Sequence, residues 1–140
     1  MDLKALVDNL QEFSRSEVFL SGAAPEEAIA GIIRQSEFVT EQWIENKLVA
    51  VGGIIRGTLL SDNGTAWALM TTAAQEHPFQ FIRASRQRLS EAKAKYRNIE
   101  CFANEKFPTT AKWMRLLHFE RVGRFRHNGQ YYLHMIYRGP

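Results

Sequence analysis

Thr65-Ala66-Trp67-Ala68-Leu69-Met70-Thr71-Thr72, then Ala73-Ala74-Gln75-Glu76-His77, then Pro78-Phe79-Gln80-Phe81-Ile82-Arg83, is the stretch on which the fold turns. The first eight residues carry the β-branched and aromatic side chains of a strand, and Pro78 suits the first position of a helix running to about Tyr96. A strand that delivers its C-terminal end to a helix N-terminus gathers unpaired N–H groups and the positive end of the helix dipole, which is where α/β proteins hold ligands. Phe79, Ile82, Ser85, Leu89, Ala92 and Tyr96 are expected to face the sheet, with Arg83, Arg86, Arg88, Lys93 and Lys95 around the other sides. Asn98–Ala103 reads as the next strand. Strand, helix and strand then form a right-handed crossover with the two strands parallel.

Before this stretch, Leu3, Leu6, Val7, Leu10 and Phe13 recur at helical spacing behind Asp2 as N-cap, predicting a first helix of about three turns. Ser14 to Gly22 breaks the pattern. Pro25-Glu26-Glu27 opens a second helix whose buried stripe is Ala28, Ile29, Ile32 and Ile33. From Phe38 the period becomes two: a strand over 38–45, a turn at Asn46-Lys47, and an apolar central strand over Leu48–Ile55 in which Gly52-Gly53 marks a bulge or a close backbone approach. Ser61-Asp62-Asn63-Gly64 is a turn that returns the chain antiparallel into Thr65–Thr72. After the crossover, Pro108 to Leu117 is a short helix, and 119–125 and 130–138 are strands of a hairpin around His127-Asn128-Gly129. The chain is expected to be one mixed α/β (α+β) domain over residues 1–140, in the order α-α-β-β-β-α-β-α-β-β.

Bulk properties bound the function. Residues 1–70 hold 5 Lys and Arg against 10 Asp and Glu, and residues 71–140 hold 13 against 5, so an anionic partner should meet the second half. The longest apolar run is too short to span a bilayer and the N-terminal residues lack a secretory pattern, so a soluble, unexported protein is expected. Cys101 is the single cysteine, which excludes an internal disulfide and reads as a buried thiol. His77, His118, His127 and His134 fall on different elements with no ligand spacing between them, and no metal site is expected. Trp43, Trp67 and Trp113 are expected in the core. Arg121, Arg124 and Arg126 with Phe125 invite a nucleic-acid reading, which the modest net charge of +3 disfavours.

The element order, with Ser21–Ala28, Thr65–Thr72, Pro78–Arg86 and Ala111–Phe119 carrying it, resembles the GNAT N-acetyltransferase fold and, within it, the bacteriophage internal virion protein A group. The resemblance implies an acetyl-CoA or other acyl-CoA cofactor lying where the strand at Thr65–Thr72 splays from that at Ile99–Ala103. Pantetheine would pair with the main chain of Leu69, Met70, Thr71 and Thr72, with an N–H near Met70 polarising the thioester carbonyl. Arg83 and Arg86 would hold phosphates or else form a solvated helix face, and Asn104 would face the cofactor or else serve as a plain turn residue. The chain departs from the GNAT pattern twice. The pyrophosphate loop, Gln/Arg-x-x-Gly-x-Gly/Ala in the family, is here free of glycine, contains Glu76 and loses an N–H at Pro78. Met114 stands where many relatives place a proton-donating Tyr, which leaves His118 as a candidate acid, with ordinary helix capping or a surface position as its other reading. Two functions stay open: an acyl-CoA-dependent N-acyltransferase, or a non-catalytic protein acting on a phage structural or host protein. The resemblance implies host cytoplasm or virion interior as its location.

Overall fold

The structure, a computed structural model, describes residues 1–11, 14, 24–57 and 62–139. In chain order the elements are α1 (Leu3–Asn9), α2 (Pro25–Arg34), β1 (Ser36–Ile44), β2 (Lys47–Arg56), β3 (Asn63–Met70), α3 (Ala73–Glu76), α4 (Pro78–Lys93), β4 (Asn98–Asn104), α5 (Pro108–Leu116), β5 (Phe119–His127) and β6 (Gln130–Tyr137). The sheet order is β1-β2-β3-β4-β6-β5. This is the expected mixed α+β architecture with one addition, the single turn α3, which the sequence reading took as plain connection.

The residues gather into two compact units, Met1–Ile55 with Trp67–Phe81, and Arg56–Ala66 with Ile82–Pro140. In the first, Leu6, Val7 and Leu10 pack with Ile29 of α2, Val51 of β2 and Leu69 of β3, with Trp67 at the margin. β2 and β3 run antiparallel: the Thr71 N–H donates to the Val49 carbonyl at 2.9 Å, while Gly52, further along β2, lies against Trp67, earlier in β3. The glycine pair is a close approach, as one of the two expected readings had it. A Cβ on Gly52 would sit 3.0 Å from the Trp67 carbonyl oxygen, and one on Gly53 would sit 3.1 Å from the indole. The β1–β2 turn falls one residue earlier than expected, at Glu45 and Asn46, both with positive φ, the geometry of a type I′ hairpin.

In the second unit, β3 pairs parallel with β4 at Asn63↔Asn98, Gly64↔Ile99 and Thr65↔Glu100, so the crossover is as read. β4 pairs antiparallel with β6, and β6 with β5. Ile99, Cys101 and Ala103 of β4 and Met135 and Tyr137 of β6 are buried, and α5 packs on β4 and β5. Asn128 and Gly129, both at positive φ, make the predicted hairpin turn.

Three expectations about packing are corrected. Phe79 does not face the sheet. It is 85% exposed, and Phe81, at 2% exposure, is the buried aromatic of the first turn of α4, two residues further on and so on another side of the helix. Trp43 is 54% exposed, on the edge strand β1, instead of lying in the core. α1 stops at Asn9, two turns long, because Leu10 turns extended and its neighbours bond to β3 instead of continuing the helix. Phe13 and the turn residue Ser61 lie outside the described residues.

Candidate functional site

The end of β3 and the loop after it belong to the first unit, and their main-chain groups can be followed one by one. Thr71 directs its N–H at β2, so Met70, one residue back in an extended chain, directs its N–H and C=O at the opposite edge. That is the edge on which an extended amide ligand would lie. It is taken. The Met70 N–H donates to the Ser14 hydroxyl at 3.1 Å, and the Met70 carbonyl accepts the Gln11 N–H at 2.8 Å. The Gln11 side chain donates to the Thr71 carbonyl at 2.9 Å, and the Thr72 N–H donates to the Asn9 carbonyl at 2.9 Å. Leu10 and Thr71 form an antiparallel bridge, so residues 9–11 behave as a short added strand. Gln11 and Ser14 are both buried, at 6% and 0% exposure, so these bonds are made away from water.

The loop is equally committed. The Thr71 hydroxyl reaches the Leu48 carbonyl at 2.7 Å, Ala74 and Gln75 donate their N–H groups back to Thr71 and Thr72, and the Gln75 side chain donates to Gln11. Glu76 lies 3.7 Å from Lys47, and His77 lies 3.9 Å from Glu45. Instead of a row of open amides, the loop folds into α3 and brings a carboxylate. Beside it, α1, the β1–β2 turn and α3 border a groove of 420 Å³ lined by Leu6, Leu48, Trp43, Lys47, Thr72 and Glu76, among others.

The remaining predicted residues lie in the second unit. The Arg86 guanidinium donates to the Leu116 carbonyl at 2.9 Å and so closes the C-terminal end of α5, while Arg83 is exposed on α4. Asn104 is 3% exposed. Its amide donates to the Gln130 side chain and its carbonyl oxygen accepts the Lys106 N–H, so both polar atoms serve the β4 turn. His118 has a φ of 71° at the end of α5, the left-handed position where glycine is usual; its N–H bonds to the Arg115 carbonyl, and its own carbonyl accepts the Arg138 N–H. The structure therefore places Leu69, Met70, Thr71 and Thr72 together, and gives Arg86, Asn104 and the His118 main chain local structural partners.

One pairing escaped the sequence reading. His134 Nε2 and a Glu100 carboxylate oxygen are 2.6 Å apart, with the Thr65 hydroxyl 3.4 Å from the other oxygen. Phe102 stacks on the imidazole at a centroid distance of 5.1 Å, and Phe125 meets Phe102 edge-on at 5.3 Å. The signal existed only in the register, which puts Phe102 opposite His134 and Glu100 two pairs along, on the same face. No three of His, Cys, Asp and Glu come together as metal ligands among the described residues. No helix among them is long and apolar enough to cross a membrane.

No family model matches this chain, and no curated protein matches it. Solved structures do. A spermidine N-acetyltransferase SpeG chimera from Vibrio cholerae and hSSAT superposes with a TM-score of 0.66 over 97% of this chain and 89% of that one, at 13% identity. An acetyltransferase from Bacillus subtilis in complex with CoA matches at 0.63, over 91% and 95%, with 12% identity. Ribosomal-protein-alanine N-acetyltransferase from Brucella melitensis matches at 0.63, over 81% and 78%, also with 12% identity. Acyl-CoA is the ligand these likenesses raise, and the residues present do not fit it as they stand, since the Met70 edge is filled and the loop offers Glu76 in place of glycine amides. At such identities the likeness speaks for architecture: this chain has the fold of the GNAT acetyltransferases.

Proposed function

We propose that this chain is a GNAT-fold phage protein that works by binding a partner instead of transferring an acyl group, as an internal virion, assembly or host-directed factor in the virion or host cytoplasm. The observation that carries the reading is the engagement of Met70: the N–H that would polarise a thioester carbonyl already donates to Ser14, and the adjoining carbonyl already accepts from Gln11. The glycine-free loop and Met114 in place of an acid agree with it. The phage setting comes from the sequence resemblance.

The test is a thermal melt of the protein with and without acetyl-CoA. The binding reading expects no change. Acetyl-CoA at about 100 times its dissociation constant would stabilise by about 2.7 kcal/mol, on the order of 10 °C for a chain of this size, and such a rise would overturn the reading. The second reading, N-acyl transfer from acyl-CoA, draws support from β3 and β4 pairing only at 63–65 and 98–100, and from the CoA complex of the B. subtilis protein. It requires Asn9, Leu10, Gln11 and Ser14 to leave β3 first.

A further inference from the structure

β5 is the last strand of the sheet, nine residues long, with β6 on one side and no strand on the other among the described residues. Its side chains sort by face. The register sets Arg121, Arg124 and Arg126 opposite Met135, Leu133 and Tyr131, and sets Gly123 and Phe125 opposite His134 and Tyr132. Residues opposite one another in an antiparallel pair share a face. Arginines therefore line one face of the edge, while the other continues the aromatic row of Phe125, Tyr132 and Phe102, where Phe125 stacks on Tyr132 at 5.5 Å.

The arginine face already holds one carboxylate. Arg124 forks onto Glu105 with bonds of 2.6 and 3.0 Å while lying 3.9 Å over the Tyr131 ring. The charge of Arg121 also helps to hold the Glu105 carboxyl low, and Arg126 lies 5.9 Å from the centre of the Tyr131 ring. Charged side chains and the bulge between Arg121 and Gly123 are also how proteins keep edge strands from pairing with themselves. That purpose explains the presence of charge. It does not explain why the three arginines keep to one face while Phe125 and Tyr132 share the other, which is the pattern an added strand reads, since its own side chains alternate. A second copy of β5 would set arginine against arginine, and a single-stranded nucleic acid would find Tyr131, the ring among the arginines, covered by Arg124.

We propose that β5 accepts an extended segment of a partner protein as a further strand, a segment in which carboxylate side chains alternate with apolar ones, the carboxylates meeting Arg121, Arg124 and Arg126 and the apolar groups meeting Phe125. The proposal rests on the binding reading above and names its partner. The experiment is fluorescence anisotropy of a labelled nine-residue peptide alternating Glu and Val, with amide hydrogen exchange of the complex. The expected result is saturable binding that slows exchange within Phe119–His127, falls at least tenfold in the Arg121→Glu/Arg126→Glu variant, and tightens in Glu105→Gln, which frees Arg124. Absence of saturable binding overturns the proposal. So does equal binding of a Lys-Val peptide or of a Glu-Val peptide with its charges in one block, protection confined to another element, or an oligonucleotide or a second copy occupying the edge instead. An acetyl-CoA shift in the melt sinks the binding reading separately, whatever the peptide does.

Discussion

The end of β3 and the length of β5 face the same problem, main-chain polar groups at the margin of a strand, and resolve it in opposite ways. At β3 the chain supplies its own partners: Asn9, Leu10, Gln11 and Ser14 satisfy Met70, Thr71 and Thr72, and the bonds are buried. At β5 the margin is left to solvent and dressed with arginine. An unpaired amide in water costs little, whereas one buried without a partner costs about 1–3 kcal/mol. The first margin should therefore be critical for stability and poor at receiving a ligand, and the second the reverse.

The largest effect expected from this contrast is in the core that holds residues 9–11 against β3. Ile29 is fully buried there, and Ile29→Ala should destabilise by about 2–5 kcal/mol, read by chemical denaturation. A loss below about 1 kcal/mol would mean that α2 does not clamp the segment. Next comes Ser14→Ala, which orphans the Met70 N–H and should cost about 1–3 kcal/mol. The same variant sharpens the functional question. If it remains without an acetyl-CoA shift, the glycine-free loop is a sufficient barrier by itself, and if it gains one, Ser14 is the barrier. On the other margin, Arg126→Glu should leave stability within about 0.5 kcal/mol, because it removes no buried group.

The smallest effect concerns protons. The hydrogen bonds from Arg124 hold the Glu105 carboxyl below its ordinary value of 4.5, and the same bonds raise Arg124. With the folded value below the unfolded one, the stabilisation is present above about pH 4.5 and fades as pH falls through the folded midpoint. An NMR titration of Glu105 should show a midpoint under 4.5 that moves up in Arg124→Ala. No movement would remove Arg124 as the cause.

Much of the architecture was legible because it depends on local chemistry. Pro25, Pro78 and Pro108 open helices, Asn128-Gly129 closes a hairpin, and the parallel crossover follows from strand, helix and strand in close succession. What failed to show was set by tertiary competition. The apolar spacing of Leu3 to Leu10 predicts a longer helix, and nothing local says that Leu10 and Gln11 will find better hydrogen bonds on β3. The helical spacing from Phe79 to Tyr96 pointed to Phe79 as the inward aromatic, and the fold buries Phe81 instead. At the candidate site, the missing glycines and Met114 could be read directly, but the filling of the Met70 edge could not, since Ser14 lies 56 residues away in sequence. Glu100 and His134 meet across 34 residues, which only the strand register reveals.

Cys101 sits in β4 with 4% of its surface exposed, and the chain has no other thiol. Nature has thus installed a chemical stopwatch at the heart of the second unit. A thiol reagent can react only when that unit opens, so the labelling rate times its opening without any engineered probe, and a bound strand on β5 would be heard there as a slower clock.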